Sequence, residues 1–190
     1  MALYYNNTSI PQGNHVYINN QDCQKVIYNN VEVWRRSIYI SNLISDSHEF
    51  SKSFSDIGYV KDSEWRYSTA TISGHYYYFR FNVGCWGYSN GAGFGGWTKA
   101  RHDGATEIIG KPMSEGLDNG VYTGHILVQS SGQTWGLNVE YYRNNATQGR
   151  NWTKESMMVD VTGLYQAGYT TPDAIYGKIG YFRGTKEFII

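Results

Sequence analysis

Short β-favouring runs recur along the chain, with alternation of apolar and polar positions clearest in Thr69–Ile72 and His75–Val83. Val26-Ile27-Tyr28 and Val31-Glu32-Val33-Trp34 are β-favouring runs on either side of Asn29-Asn30, whose asparagines tolerate positive φ, and together they predict a hairpin. Asn14-His15-Val16-Tyr17-Ile18, after Pro11-Gln12-Gly13, predicts an earlier strand, and Arg35-Arg36 closes this stretch before Ser37-Ile38-Tyr39-Ile40 begins another. Residues 1–37 therefore read as a small N-terminal β module. Beyond it, strand signals recur between Gly, Asn, Ser and Asp turns: Thr69–Ile72, His75–Val83, Gly120–Thr123, His125–Val128, Gly136–Tyr142, Ser156–Val161 and Phe188–Ile190. Many short strands punctuated by turns predict an all-β fold, an antiparallel sandwich or jelly roll over residues 38–190. Thr171-Pro172-Asp173 breaks the pattern. A capping hydroxyl, a first-turn proline and a carboxylate at the positive helix end predict one short helix, ending near Gly177 or Gly180. Tyr88–Trp97, rich in glycine, reads as one long mobile loop.

Composition narrows the function classes. The 190 residues carry 16 Lys+Arg against 16 Asp+Glu, so bulk attraction to nucleic acid or to an anionic membrane is not expected. Aromatic residues are abundant (18 Tyr, 7 Phe, 6 Trp), beside 22 Gly and only 3 Pro. With a mean hydropathy of -0.51 this describes a soluble chain whose apolar weight sits in rings able to line a core or a sticky surface. Met1–Asn7 shows no signal-peptide pattern, and Cys23 and Cys85, far apart, are expected to be free thiols.

Short motifs are weak. Gly91-Ala92-Gly93-Phe94-Gly95-Gly96 fits a dinucleotide fingerprint literally, but Trp97–Gly104 carries no helical stripe to present a helix N-terminus to a pyrophosphate. Gly110-Lys111-Pro112 lacks the hydroxyl residue of a phosphate loop, and Gly84-Cys85-Trp86 lacks the rest of a thiol-protease signature. His15, His48, His75, His102 and His125 never reach metal-ligand spacing, and no cofactor is expected; a structural calcium, of the kind jelly rolls often hold, stays open but finds no loop of alternating carboxylates to supply its ligands. Asp103, Glu107, Glu115, Asp118 and Glu140 are available for glycosidic cleavage, but nothing singles out a pair. The aromatics remain. Trp65, Trp86, Tyr88, Phe94, Trp97, Trp135 and Trp152 sit among polar, Gly-rich or charged neighbours and suit stacking on the C–H faces of sugar rings or burial in a protein interface, with Trp86, Tyr88, Phe94, Trp97, Trp152 and Arg101 as the candidate contact residues. The alternative is that Trp65, Trp86 and Trp135 fill the core.

Three stretches carry a family resemblance. Val159-Asp160-Val161-Thr162-Gly163-Leu164-Tyr165-Gln166-Ala167-Gly168, then Pro172 and Tyr181-Phe182-Arg183-Gly184-Thr185-Lys186, resembles the closing segment of β-sandwich modules in structural proteins of phages that infect Gram-positive bacteria. Ile72–Tyr78 is similar to the opening strand of those carbohydrate-binding-like modules, and Lys25–Trp34 to a hairpin frequent in such virion proteins. Tyr165-Gln166 and Tyr169-Thr170-Thr171 depart from the family's usual turn before the helix. The resemblance implies a non-enzymatic virion surface protein of the tail, baseplate or capsid exterior, assembled in a bacterial host cytoplasm and homo-oligomeric in the particle. Its partners would be other virion proteins, met through Tyr28, Val33, Trp34 and Arg35, and host cell-wall glycan, met through the loop aromatics. A stand-alone carbohydrate-binding module or lectin is the alternative, and a polysaccharide-degrading enzyme the next.

Overall fold

The computed structural model describes the backbone of residues 3–5, 8–10, 16–18, 21–23, 25–53, 59–88, 93–102, 108–109, 119–144 and 148–190. Side chains are described at 16–17, 21, 23, 25–32, 35–45, 65, 67–82, 99–102, 123–139, 153 and 155–190. Three two-stranded pairs come first: β1 (Leu3–Tyr5) with β2 (Thr8–Ile10), β3 (Val16–Ile18) with β4 (Gln21–Cys23), and β5 (Lys25–Tyr28) with β6 (Val31–Arg35). The third pair is the expected hairpin. Tyr28 faces Val31 across Asn29 and Asn30, whose φ values of 49° and 61° are those that a primed turn needs. Val33 is an extra residue in β6, because pairing steps from Val26↔Trp34 to Ile27↔Glu32.

The larger strands follow as β7 (Ser37–Ser53), β8 (Tyr59–Ala70), β9 (Tyr76–Tyr88), β10 (Gly93–His102), β11 (Ile108–Ile109), β12 (Asn119–Gln129), β13 (Thr134–Asn144) and β14 (Gln148–Asp160). Helices α1 (Thr162–Gln166) and α2 (Pro172–Ile179) and strand β15 (Thr185–Ile189) complete the chain. One antiparallel sheet has the order β12-β9-β14-β7-β15 and the other β11-β10-β13-β8. Their facing side chains form one core, from Ile44, Tyr77, Phe79, Phe81 and Met158 of the first sheet and Ala100, Trp135 and Leu137 of the second. The fold is thus an all-β antiparallel sandwich.

A second core lies on the back of the five-stranded sheet. Ile40, Tyr78, Met157, Val159 and Phe188 pack there against Leu164 of α1, Ile175 and Ile179 of α2, and Val161 and Phe182. Strands β9 and β14 therefore bury apolar side chains on both faces, as strands between two layers must. β7 serves both cores by a different device. Ile40 and Ile44 are four residues apart and would share a face in a regular strand. Pairing passes from Asn42↔Val159 to Ile44↔Met158, so Leu43 is an extra residue that turns the strand over. Glu155 does the same in β14, with a left-handed φ of 59°, and the Ser156 hydroxyl there accepts the Asn82 N–H at 3.3 Å.

Two departures from expectation have local causes. Gly93–Trp97 is not loop but the first half of β10, paired residue by residue with Tyr141–Asn144 and Glu140 of β13; only 89–92 lie outside the described residues. The ladder supplies partners that low strand propensity could not foretell. Helix α1 was also not expected. It is five residues long and starts where Asp160 Oδ1 accepts the Thr162 N–H at 3.0 Å and its hydroxyl at 2.6 Å. α2 matches its signals: Thr171 Oγ1 accepts the Ala174 N–H at 3.2 Å, and Gly180 closes the helix at φ 58°.

Candidate functional site

The strand order sets out where the sequence-picked aromatics lie. The strand ends at Ser53, Tyr88 and Gln148 pair with one another, as do those at Tyr59, Gly93 and Asn144, and the turns at 71–75 and 130–133 fall at the opposite end of these strands. Trp86 and Tyr88 end β9, opposite Arg150 and Gln148 of β14, and Trp152 pairs with Gly84 two positions before Trp86. Phe94 begins β10 at the same end, opposite Arg143, and Trp97 follows opposite Glu140. Backbone pairing thus gathers Trp86, Tyr88, Phe94, Trp97 and Trp152 into one half of the sandwich, although their side chains lie outside those described. Arg101 does not join them. It is seven positions beyond Phe94, roughly 23 Å along the strand, beside the half-buried His102 and opposite Gly136.

Of the docking candidates, Tyr28 is 67% exposed at the hairpin turn, flanked by the exposed Ile27 and Val31. Arg35 is engaged within the hairpin, its Nε donating to Glu32 Oε1 at 2.8 Å while its Nη2 contacts the other carboxylate oxygen. That hydrogen bond holds the Glu32 carboxyl below its ordinary range. The backbones of Val33 and Trp34 lie in β6; their side chains are outside the described residues.

The titratable groups that are described hold structure. His75 Nδ1 and Asp160 Oδ2 are 2.7 Å apart while the other Asp160 oxygen caps α1. His125 bridges sheet and helix, with Nδ1 2.9 Å from the Tyr78 hydroxyl and Nε2 3.1 Å from Asp173 at the start of α2. Nε2–H thus donates to the carboxylate, while Nδ1 and the phenol form the second hydrogen bond. Arg80, nearly buried, lies with its guanidinium carbon 4.2 Å from the Tyr176 ring centre and an Nη2 3.6 Å from Glu155. Burial raises the Tyr78 phenol far above its usual range, against the opposing pull of Arg80. A groove of about 470 Å³ beside β7 is lined by Ser37–Ser41, Leu43, Asp160 and Gly163, and its one carboxylate is the α1 cap. Among the described residues no three His, Cys, Asp or Glu side chains cluster to hold a metal, and no helix is long and apolar enough to cross a membrane. Cys23 is a free thiol, as expected. Gly96 lies inside β10 and opens no helix, which removes the dinucleotide reading. Of the carboxylates considered for glycosidic cleavage, Glu140 stands on β13, with its side chain undescribed, and the other four fall outside the described residues.

Trp65, an aromatic considered both for sugar or interface contact and for the core, is 49% exposed, and its ring rests over Gly136. Trp135 is the one of the three proposed core tryptophans seen buried, packed 5.3 Å from Phe79 centre to centre. Gly136, paired with Ser68, leaves the space that the Trp65 ring fills, and this appears only once the register is known.

No protein-family model and no curated protein matches the chain. Solved structures from infectious bursal disease virus are similar at low identity. The infectious bursal disease virus Gt strain matches at 13% identity and a TM-score of 0.39, covering 97% of this chain and 44% of that one. The Gx strain gives 12% and 0.42, covering 86% and 42%, and the VP2 subviral particle of the same virus 9% and 0.38, covering 86% and 42%. The chain spans less than half the length of those chains.

Proposed function

We propose that this chain is a non-enzymatic virion surface protein, of the kind found in phages of Gram-positive bacteria, whose N-terminal module (residues 1–37) docks on the particle and whose sandwich (38–190) faces outward. The observation that carries this reading is the hairpin, where Tyr28 and Val31 form an exposed pair across the two-residue turn and Ile27, on the opposite face, is 54% exposed as well. Large apolar side chains left open on a hairpin suit burial against a partner. The absence of catalysis is supported by the uses already found for His75, Asp160, His125 and Asp173, each engaged in holding a helix. In this reading the protein is homo-oligomeric on the particle, following the symmetry of its neighbours, and the aromatic end of the sandwich meets host cell-wall glycan.

Co-sedimentation with particles lacking the protein tests it. The parent is expected to pellet with particles and the Tyr28→Ala variant to stay in the supernatant, with both melting at the same temperature. A parent that never pellets with particles, yet binds cell-wall glycan as a monomer, replaces this reading with that of a free lectin.

A further inference from the structure

β7 outruns its neighbour β14. The two strands last pair at Asn42↔Val159, and Asp160 pairs with Tyr77 of β9 instead, so Ser37–Ser41 extends beyond the end of that ladder. On its other side the same stretch is paired throughout with β15, from Ser41↔Thr185 to Ser37↔Ile189. The Asn42 N–H donates to the Gly184 carbonyl and the Arg36 carbonyl accepts from Ile190, so residues 36, 38, 40 and 42 turn their backbone groups toward β15. Tyr39 and Ser41 turn theirs the opposite way, into the lane that β14 has left, and among the described residues no strand pairs with them there. That lane is open at both positions: Tyr39 is 63% exposed and Ser41 is exposed, whereas Ser37 is covered and offers nothing to a ligand. It forms the groove of about 470 Å³ whose lining includes Asp160 and Gly163 across from the strand, with the part-exposed Leu43 beside it.

We propose that this groove binds an extended peptide segment of a partner protein, which adds to β7 as a short strand in the place that β14 vacates. Tyr39 presents a donor and an acceptor side by side, and a second backbone in extended form matches both; an anion, which only accepts, would leave the carbonyl unmet. Nor does the groove hold a spare charge to select an ion. Asp160, its one carboxylate, caps α1 with one oxygen and meets His75 with the other. The outer edge of β15 differs: it shows the exposed Lys186 and Glu187, charges of the kind that keep edges from pairing, and Ser37–Ser41 has none. Residues on both sides of the groove leave a lane for one chain and not for the edge of a second sheet. Opposite Tyr39 the peptide should place a β-branched or aromatic side chain, the cross-strand neighbour that an exposed tyrosine favours. Neither hairpin docking nor glycan binding enters this inference, so it fails independently of the proposed function.

The probe is a library of blocked heptapeptides, acetyl-Ser-Thr-X-Z-X-Thr-Ser-amide, with X and Z drawn from Val, Ile, Thr, Tyr and Phe, titrated into the full chain and followed by calorimetry and by magnetic resonance of the backbone amides. At least one peptide is expected to bind and to slow solvent exchange of the Tyr39 and Ser41 amides at least tenfold. Methylating the backbone nitrogens of that peptide at one alternate set of residues should weaken it at least tenfold, and at the other set should leave it within about twofold, because only one edge of the peptide faces β7. Tyr39→Pro removes a single N–H, the one that faces the groove, while the bonds to β15 stay in place. It should melt close to the parent and bind at least tenfold more weakly; if it does not fold, the methylated peptides carry the test. No binder in the library, equal loss from either set of methyl groups, or full binding by a folded Tyr39→Pro overturns the proposal. So does a dimer in sedimentation that Tyr39→Pro dissolves, since the occupant is then a second copy.

Discussion

Tyr78 combines three roles in one side chain: its ring fills the core under the helices, its hydroxyl meets His125, and its backbone pairs in the middle of a five-stranded sheet. Burial raises its phenol pKa, and Tyr77, also buried, is raised for the same first reason. A group whose proton is held more tightly when folded contributes fully below its unfolded pKa, about 10 for tyrosine, and the contribution is lost as pH rises beyond that. Stability should therefore fall above about pH 10. Tyr78→Phe should flatten that alkaline limb while costing about 1 kcal/mol at neutral pH for the lost hydrogen bond, as urea titrations at pH 8 and pH 10.5 would show. Gly136 is the other position with no latitude. Gly136→Ala drives a methyl into the Tyr67 carbonyl and the Trp65 ring, and is expected to cost about 1–3 kcal/mol and to shift tryptophan emission as the indole is displaced. Neither constraint can be read from the residue alone, because the partner in each case arrives from a strand distant in sequence.

Elements whose stop and start signals are local were legible in advance. The hairpin at Asn29-Asn30 and the helix after Thr171 rest on backbone dihedrals and caps that neighbouring residues decide. Thr171→Ala should cost about 1 kcal/mol, read from the chemical-denaturation midpoint, because the Ala174 N–H then loses its acceptor. β10 and α1 were not legible. Gly93–Gly96 looks like loop until β13 is laid beside it, and Thr162–Gln166 is too short to show a period. The extra residues Leu43 and Glu155 escaped for the same reason: a strand that changes face half-way scrambles the alternation by which faces are recognised. For the candidate sites, the aromatics at the open end could be picked by type and neighbours. The seat of the Trp65 ring over Gly136 could not, since it is made only by register.

At the scale of the whole molecule, two cores lie back to back on one sheet. Tyr78 belongs to the helix-side core and Phe79 to the sandwich core, one residue apart on the same strand. Truncating either core should therefore be felt by both: Phe79→Ala is expected to cost about 3–5 kcal/mol and Ile175→Ala about 2–5 kcal/mol. Each variant should still melt in a single transition, with calorimetric and far-ultraviolet dichroism midpoints coinciding; a separate early melting of the helices in Ile175→Ala would show the cores to be independent.

Between β6 and β7 stands a single residue, Arg36, nearly buried, whose carbonyl accepts the backbone N–H of Ile190 at 3.0 Å. A tether attached to the hairpin therefore enters the sandwich along the axis of β7, the 17-residue strand flanked by β14 and β15. Its mechanical behaviour then depends on where the opposing load is applied. Traction between the hairpin and the far end, where Trp86 and Tyr88 lie, slides β7 lengthwise against β14, so many ladder bonds resist together. Traction between the hairpin and the C-terminus meets β15 at the end where both strands are gripped, and peels it away one rung at a time. A load applied between the hairpin and the distal end of β7 would therefore meet the molecule in its strong direction.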